Sequence, residues 1–337
     1  MARPTASFET DAQGRGSARS PDSPTRSTRP SRTRKTTEAG APGHVGTASL
    51  TTRCYPAPPS VSGVITVLAG GVGAALTICP DLDTVTYTLA GMNDEARGWG
   101  LTDETWRVMG ELEALGGEAW FRLGDRDLAT HLYRTQRLGE GATKSEVTAE
   151  IARRRGVVST LLPASDDPVA TVLDTLEGPM DFQEYFVRRR HDVTVTAVTV
   201  TGLATARPSA AALRAIEGAE RVVIAPSNPL LSIDPILALA GVREALLARG
   251  DVLAVSPLVG GAALKGPADR LMRDLGLEPT VAGVAAHYGG LVRTWVIDEL
   301  DAGLAARLEA AGHEVRVTTT VMDDPARARA LAEAVLA

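Results

Sequence analysis

Cysteine is scarce: the 337 residues hold two, Cys54 and Cys79. Two thiols cannot build a disulfide framework or, by themselves, a metal site, and their scarcity predicts a cytoplasmic protein. No apolar stretch approaches the ~20 residues that a membrane helix needs, so no membrane partner is expected. The amino terminus lacks the apolar run of a signal peptide. A basic body is also missing. Formal net charge is −6, and residues 1–53 carry nine Lys/Arg against four Asp/Glu, which leaves 26 against 37 in the remainder. That acidic remainder argues against a nucleic-acid partner.

Large apolar side chains are nearly absent from residues 1–60, which are rich in Ser, Thr, Pro, Arg and Gly. Such a segment cannot bury enough surface to offset its ordering entropy, and a disordered tail is expected. Its Arg26–Lys35 stretch is basic enough to touch anionic surfaces, though a solvated tail is the simpler reading. The rest, 61–337, is long enough for a single α/β domain with a real core.

What is present begins with Val64-Ile65-Thr66-Val67-Leu68-Ala69, a short β-branched run that suits a buried parallel strand. Gly70, Gly71 and Gly73 follow at once, and glycines there let backbone N–H groups approach a phosphate. The run is short of a full G-x-G-x-x-G, and no acidic residue stands at the ribose position of a dinucleotide fold. Val222–Ala225 runs into Pro226-Ser227-Asn228-Pro229, and Val252–Val255 into Ser256-Pro257-Leu258-Val259-Gly260-Gly261, with Lys265 beyond. Apolar strands alternating with helical stretches predict a parallel sheet covered on both faces. Ligands bind outside the carboxyl ends of such strands, so these polar loops converge on one crevice and imply a phosphorylated ligand. Further strands are expected at 193–201, 293–297 and 315–319, and helices at about 300–311 and 325–336, the last capped by Asp324 before Pro325.

Residues 94–156 read as a helical insertion carrying polar loops. Helices are expected at 102–116, with Trp106, Met109, Leu112 and Leu115 on one face, from Gly124–Asp127 to about Leu138, and at 144–155. Cys79-Pro80-Asp81-Leu82-Asp83-Thr84 reads as a loop in which Asp81 and Asp83, two apart, could share a magnesium ion or form a plain polar turn. In Gly124-Asp125-Arg126-Asp127 two carboxylates flank a guanidinium. They could hold an anion and a hydroxyl, or cap a helix. Pro163–Pro168 reads as a capped acidic turn, and Arg188–Arg190 as a solvated face.

Together these runs resemble the 2-phospho-L-lactate transferase family of coenzyme F-420 biosynthesis. The matching segments are Ala69–Gly73, Ile78–Thr84, Arg97–Gly100, Leu123–Thr130, Pro226–Pro229 and Ser256–Gly261, spread over residues 64–337. The resemblance implies a Rossmann-like, mostly parallel α/β sheet with helices on both faces and a helical insertion. It implies a Mg²⁺-dependent transfer of a phospholactyl or phosphoenolpyruvyl group from a guanosine-diphospho donor to the ribityl hydroxyl of the deazaflavin Fo, with GMP released. Carried onto this chain, it places Asp81 and Asp83 as metal ligands, and Asp83, Asp81 and Arg126 as catalytic groups. Fo would meet Asp83, Arg126, Asp125, Asp127 and Arg97. The nucleotide would meet Gly70, Gly71, Gly73, Ser227, Asn228, Ser256, Gly260, Gly261 and Lys265. A homodimer is only a prior.

One family segment is missing. There, the glycine loop leads through a helix and a second strand to an acidic loop, whereas here Ala74-Ala75 runs straight into Leu76. A parallel crossover needs a dozen or more residues. The resemblance therefore implies a lost βα unit, weakened stability and impaired activity. A non-catalytic nucleotide-sugar-binding regulator of the same fold is the rival reading. A nicotinamide-dependent dehydrogenase rests on fold alone.

Overall fold

The computed structural model describes residues 76–337. The expected strand at Val64–Ala69, the glycine loop with Gly70, Gly71 and Gly73, and the tail 1–60 lie outside them. Four helices come first: α1 (Pro80–Leu89), α2 (Arg107–Ala114), α3 (Asp125–Gly139) and α4 (Lys144–Arg154). They are the expected insertion, extended forward by α1. The helix expected at 102–116 is shorter. Met109 is buried, but Leu112 is 38% and Leu115 85% exposed, so the apolar face ends early. Helix α4 opens on a capping box, in which Thr143 takes the Glu146 N–H and Glu146 takes the Thr143 N–H. Across the acidic turn, Asp166 accepts the Ser145 N–H at 2.6 Å, so that turn is a cap, as its composition suggests.

Helices α3 and α4 are tied through Glu150, which accepts from Tyr133 Oη at 2.6 Å, Arg137 Nε at 3.1 Å and Arg137 Nη2 at 3.0 Å. These bonds, Arg137 first, hold the Glu150 carboxyl down at about 2. A carboxylate depressed in the folded state adds stability above its ordinary value, and that stability is lost as pH falls toward the folded value. Wild type should therefore melt above Glu150→Gln at pH 6–7, and the gap should close between about pH 4.5 and 2. A gap unchanged at pH 3 would overturn this.

Next comes an antiparallel unit that the sequence pattern does not announce. Strands β1 (Ala170–Thr175), β2 (Gly178–Asp181) and β3 (Val195–Thr201) form a sheet in the order β2-β1-β3. Only β3 matches an expected strand. The β1–β2 hairpin turns at Leu176-Glu177, without the Asn-Gly or Asp-Gly signal of tight hairpins. Leu173 stands opposite both Met180 and Val198 and is fully buried.

The main sheet is parallel, in the order β4-β5-β8-β9. It is built from α5 (Ala210–Gly218), β4 (Val223–Ile224), α6 (Asp234–Leu237), α7 (Val242–Arg249), β5 (Leu253–Val255), the ribbon β6 (Leu258–Val259) and β7 (Ala262–Ala263), α8 (Ala268–Asp274), α9 (Val281–Tyr288), β8 (Thr294–Ile297), α10 (Ala305–Ala310), β9 (Glu314–Val317) and α11 (Pro325–Leu336). Alternate side chains feed two layers. Ala254, Trp295 and Ile297 join the large core with α5, α7, α8 and α9, whereas Leu253, Val255 and Val296 pack with Leu331 and Val335 of α11. Both faces are thus covered, as an apolar strand pattern requires. Trp295 is fully buried and stacks on Tyr288 at 6.0 Å. Asp324 caps α11 as expected, accepting the Arg327 N–H at 2.8 Å. No helix among the described residues is long and apolar enough to cross a membrane.

Candidate active site

Pro80 starts α1, where its missing N–H costs nothing, and Asp81 and Asp83 occupy the first turns, where the positive helix end favours acids. The expected loop is therefore a helix. On a helix, residues two apart point to opposite sides. Asp81 is half-buried and lines a cavity of about 360 Å³. Asp83 is 4% exposed and turns inward. The two do not form the shared-metal pair that the loop reading suggested.

Asp83 meets the side of α3. Arg134 donates to both of its oxygens, through Nη2 to Oδ1 and through Nη1 to Oδ2 at 3.1 Å. The same Nη1 lies 3.2 Å from His131 Nδ1 and 3.3 Å from the Thr77 carbonyl. Since Arg can only donate, Nδ1 is the acceptor and the His131 proton sits on Nε2. That atom is 3.3 Å from Asp127 Oδ1, which also accepts from Tyr87 Oη at 2.7 Å. Burial pushes the Asp83 carboxyl up, against the pull of Arg134. For Arg134, burial works toward losing the proton, but the Asp83 charge outweighs it and the pKa rises. Asp127 is lowered: its burial is outweighed by His131 and Tyr87. Asp83, Asp127 and His131 have ligand atoms within 4.8 Å of one another, so an acidic/His cluster exists among the described residues.

The Gly-Asp-Arg-Asp run is a double cap. Glu104, from the loop before α2, accepts the Arg126 N–H at 2.8 Å and the Asp127 N–H at 2.9 Å, closing the start of α3. Asp125 repays the start of α2, accepting from Arg107 N and Val108 N, each at 3.2 Å, and from Thr105 Oγ1. A Cβ at Gly124 would push the Glu104 carboxyl group out of its capping position. Arg126 donates to the Thr102 carbonyl. Arg97 pairs with Asp94 at 2.6 Å and lies over Trp99 and Trp106, about 5 Å from each ring (5.1 and 5.0 Å). Asp125, Arg126 and Arg97 thus hold the insertion together and do not line the cavity. Glu104→Ala should cost about 1–2 kcal/mol, the usual loss for a helix cap, measured as a lower urea midpoint. An unchanged midpoint would show that the two N–H groups find water instead.

The cavity lies between α1, the acidic turn, the β1–β2 hairpin and the segment after β4. Its polar wall includes Asp81, Lys144, Asp167, Asp181 and Gln183, and its apolar wall Leu231, Pro235, Ile236 and Leu239. Lys144 sits at the first position of α4, where the dipole disfavours a cation. Its ammonium is held by the carbonyls of Ser165 at 3.1 Å and Asp167 at 3.2 Å. Lys144 was legible only as a helix start. Arg134 and His131 carry a usable signal: Asp127, His131 and Arg134 are spaced four and three apart, on one face of α3.

Ser227, Asn228 and Ser256 sit at the carboxyl ends of neighbouring strands β4 and β5, as parallel topology requires. Asn228 Oδ1 accepts the N–H groups of Leu230 at 3.0 Å and Leu231 at 3.1 Å, and this turn leads into the cavity wall. Ser256 Oγ donates to the Leu258 carbonyl at 2.7 Å, and Asp301 accepts the Gly260 N–H at 3.0 Å. Gly260 and Gly261 both have positive φ, at 60° and 77°. Lys265 is exposed.

Fold and site together define an α/β protein whose small-molecule cavity opens beside the carboxyl end of a parallel sheet, under a helical insertion. Comparison with known proteins makes this specific. The family model for 2-phospho-L-lactate transferase CofD matches residues 43–335, and the chain belongs to that family. It is similar to the phosphoenolpyruvate transferase of Streptomyces griseus, 45% identical over 268 residues covering 77% of this chain and 84% of the relative. It is also similar to the 2-phospho-L-lactate transferase of Methanosarcina acetivorans, 39% identical over 259 residues covering 77% and 84%. A crystal structure of a UPF0052-family protein from Bacillus halodurans shares the fold, with TM-score 0.50 and 15% identity over 81% of this chain and 90% of that one. The chain is an enzyme of the transferase type that these relatives' names describe.

Proposed function

We propose that this chain moves a phospholactyl or phosphoenolpyruvyl group from a guanosine-diphospho donor to the ribityl hydroxyl of Fo, releasing GMP, as a step of coenzyme F-420 biosynthesis in the cytoplasm. The observation that carries the reading is the family match over nearly the whole domain, joined to a cavity with an acid and an ammonium on its wall. In this reading the hydroxyl oxygen attacks the phosphorus bearing the lactyl or enolpyruvyl group. The bond from that phosphorus to the GMP phosphate breaks, and GMP leaves. Asp81 accepts the hydroxyl hydrogen bond, orients the oxygen and takes up its proton as the new P–O bond forms. Lys144 stands on the same wall as a point charge for developing phosphoryl charge. Ser227, Asn228, Ser256, Gly260 and Gly261, at and beyond the strand ends and outside the lining of this cavity, are assigned to the nucleotide. A loose phosphoryl transition state places little demand on a strong base.

Magnesium was expected on Asp81 and Asp83 together. Those residues do not fit a shared ion, since they point apart on α1 and Asp83 is already taken by Arg134.

The test is GMP release by the full chain given Fo and donor, with GDP binding measured in parallel. Release that requires both substrates supports the transferase. GDP binding without release under any divalent ion would favour the regulator of the same fold instead.

A further inference from the structure

The Asp83–Asp127–His131 cluster has the composition and spacing of a divalent-cation site. Its surroundings argue otherwise. A metal ion of this kind needs the lone pairs of its ligands aimed at one point. Here the lone pairs of Asp83 and of His131 Nδ1 are already aimed at Arg134. Both Asp83 oxygens accept from its guanidinium, and Nδ1 of His131 faces the same Nη1 at 3.2 Å. His131 Nε2 carries the proton, so it cannot ligate toward Asp127 in this tautomer. Asp127 Oδ1 in turn holds the Tyr87 hydroxyl at 2.7 Å. Arg134 is 2% exposed, and its partners are Asp83, His131 and the Thr77 carbonyl, which enters from the chain leading into α1. Thr77 N donates to Thr135 Oγ1 at 2.8 Å, so the same point of α3 grips that segment twice.

We propose that the Arg134 guanidinium is the resident cation of this cluster, that the cluster takes no divalent metal, and that Asp83 is a positioning residue locking α1 onto α3. Held this way, α1 presents Asp81 on its other side to the cavity. The inference extends the assignment of Asp81 made above, and both of its tests are read without substrate. A failed transferase assay therefore leaves it standing, and its own failure leaves the transferase standing.

The first test uses the wild-type chain labelled with ¹³C-histidine, which gives five imidazole positions, with His131 assigned by loss of its signal in His131→Gln. Added Mn²⁺ broadens any imidazole close to where it binds. The His131 signal is expected to stay sharp at millimolar Mn²⁺. Selective broadening of that signal at micromolar Mn²⁺ would overturn the proposal. The second test is a double-mutant cycle on Tm with Asp83→Asn, Arg134→Gln and both together. Mutual neutralisation predicts that the double variant melts well above the less stable single, because each single strands a buried charge and the double strands none. A double variant that melts no higher than that single would overturn the pairing. Arg134→Lys, which keeps the charge but loses the two-point fork, should recover part of the melting temperature lost in Arg134→Gln. No recovery would also count against the pairing.

Discussion

Arg134→Met is expected to cost about 3–5 kcal/mol, the range for removing one partner of a buried ion pair. At about 2–4 °C per kcal/mol for a domain of this size, Tm should fall by roughly 6–20 °C. The size follows from burial: side-chain exposure is 2% for Arg134 and 5% for Asp83. Water cannot reach in to solvate the stranded carboxylate, and neither can salt screen it. Three contacts depend on this one side chain, since besides Asp83 it holds the Thr77 carbonyl and the acceptor nitrogen of His131. Arg137 lies on the same helix and provides the control. It pairs with Glu140 and Glu150, but its side chain is 31% exposed. Exposed pairs are screened and contribute less, so Arg137→Met should lower Tm far less than Arg134→Met. If both variants fall alike, the Asp83–Arg134 pair is not the buried anchor described here.

Asp81→Asn is expected to show the opposite pattern, with activity falling by about 10²–10³, within the usual range for one positioned proton acceptor, and Tm changing little. Asparagine keeps the shape but loses the charge, so it holds the hydroxyl weakly and cannot take its proton, whereas losing an acid from a first helical turn costs only about 0.3–1 kcal/mol. Asp83→Asn should lose both activity and melting temperature, because Asp83 acts through the placement of α1. The comparison separates the two carboxylates that sit two residues apart in sequence. An Asp81→Asn enzyme with full GMP release would remove Asp81 from the chemistry and leave Lys144 and the strand-end loops to carry it.

The family resemblance implies a lost βα unit; if its absence weakens the sheet, all melting temperatures sit low and the shifts are best read in a stabilising buffer. The described parallel sheet ends in β4, two residues long, on one side and β9 on the other, and its second face holds a small cluster around α11.

Much of the architecture was legible because it depends on local chemistry. Asp324 and Pro325 at the start of α11 and the β-branched runs of β3, β5 and β8 each act over a few residues, whereas Pro80 opens a helix where a loop was expected. Periodicity and capping are therefore enough to place the former. The family too was legible, since its motifs are short runs. What the sequence could not decide is which partner each polar residue takes. Asp81 and Asp83 read as equivalent, and only the turn of a helix sends one to a cavity and the other to Arg134, 51 residues away. Gly-Asp-Arg-Asp reads equally well as an anion clamp and as a cap, and the choice falls to Glu104, whose carboxylate arrives from 22 residues upstream. Lys144 becomes part of a wall only because the acidic turn folds back over it. Local sequence determines where helices and strands begin. Long-range contacts decide which charges are neutralised inside and which are left facing a ligand, because burial is set by the whole fold and not by neighbours in the chain.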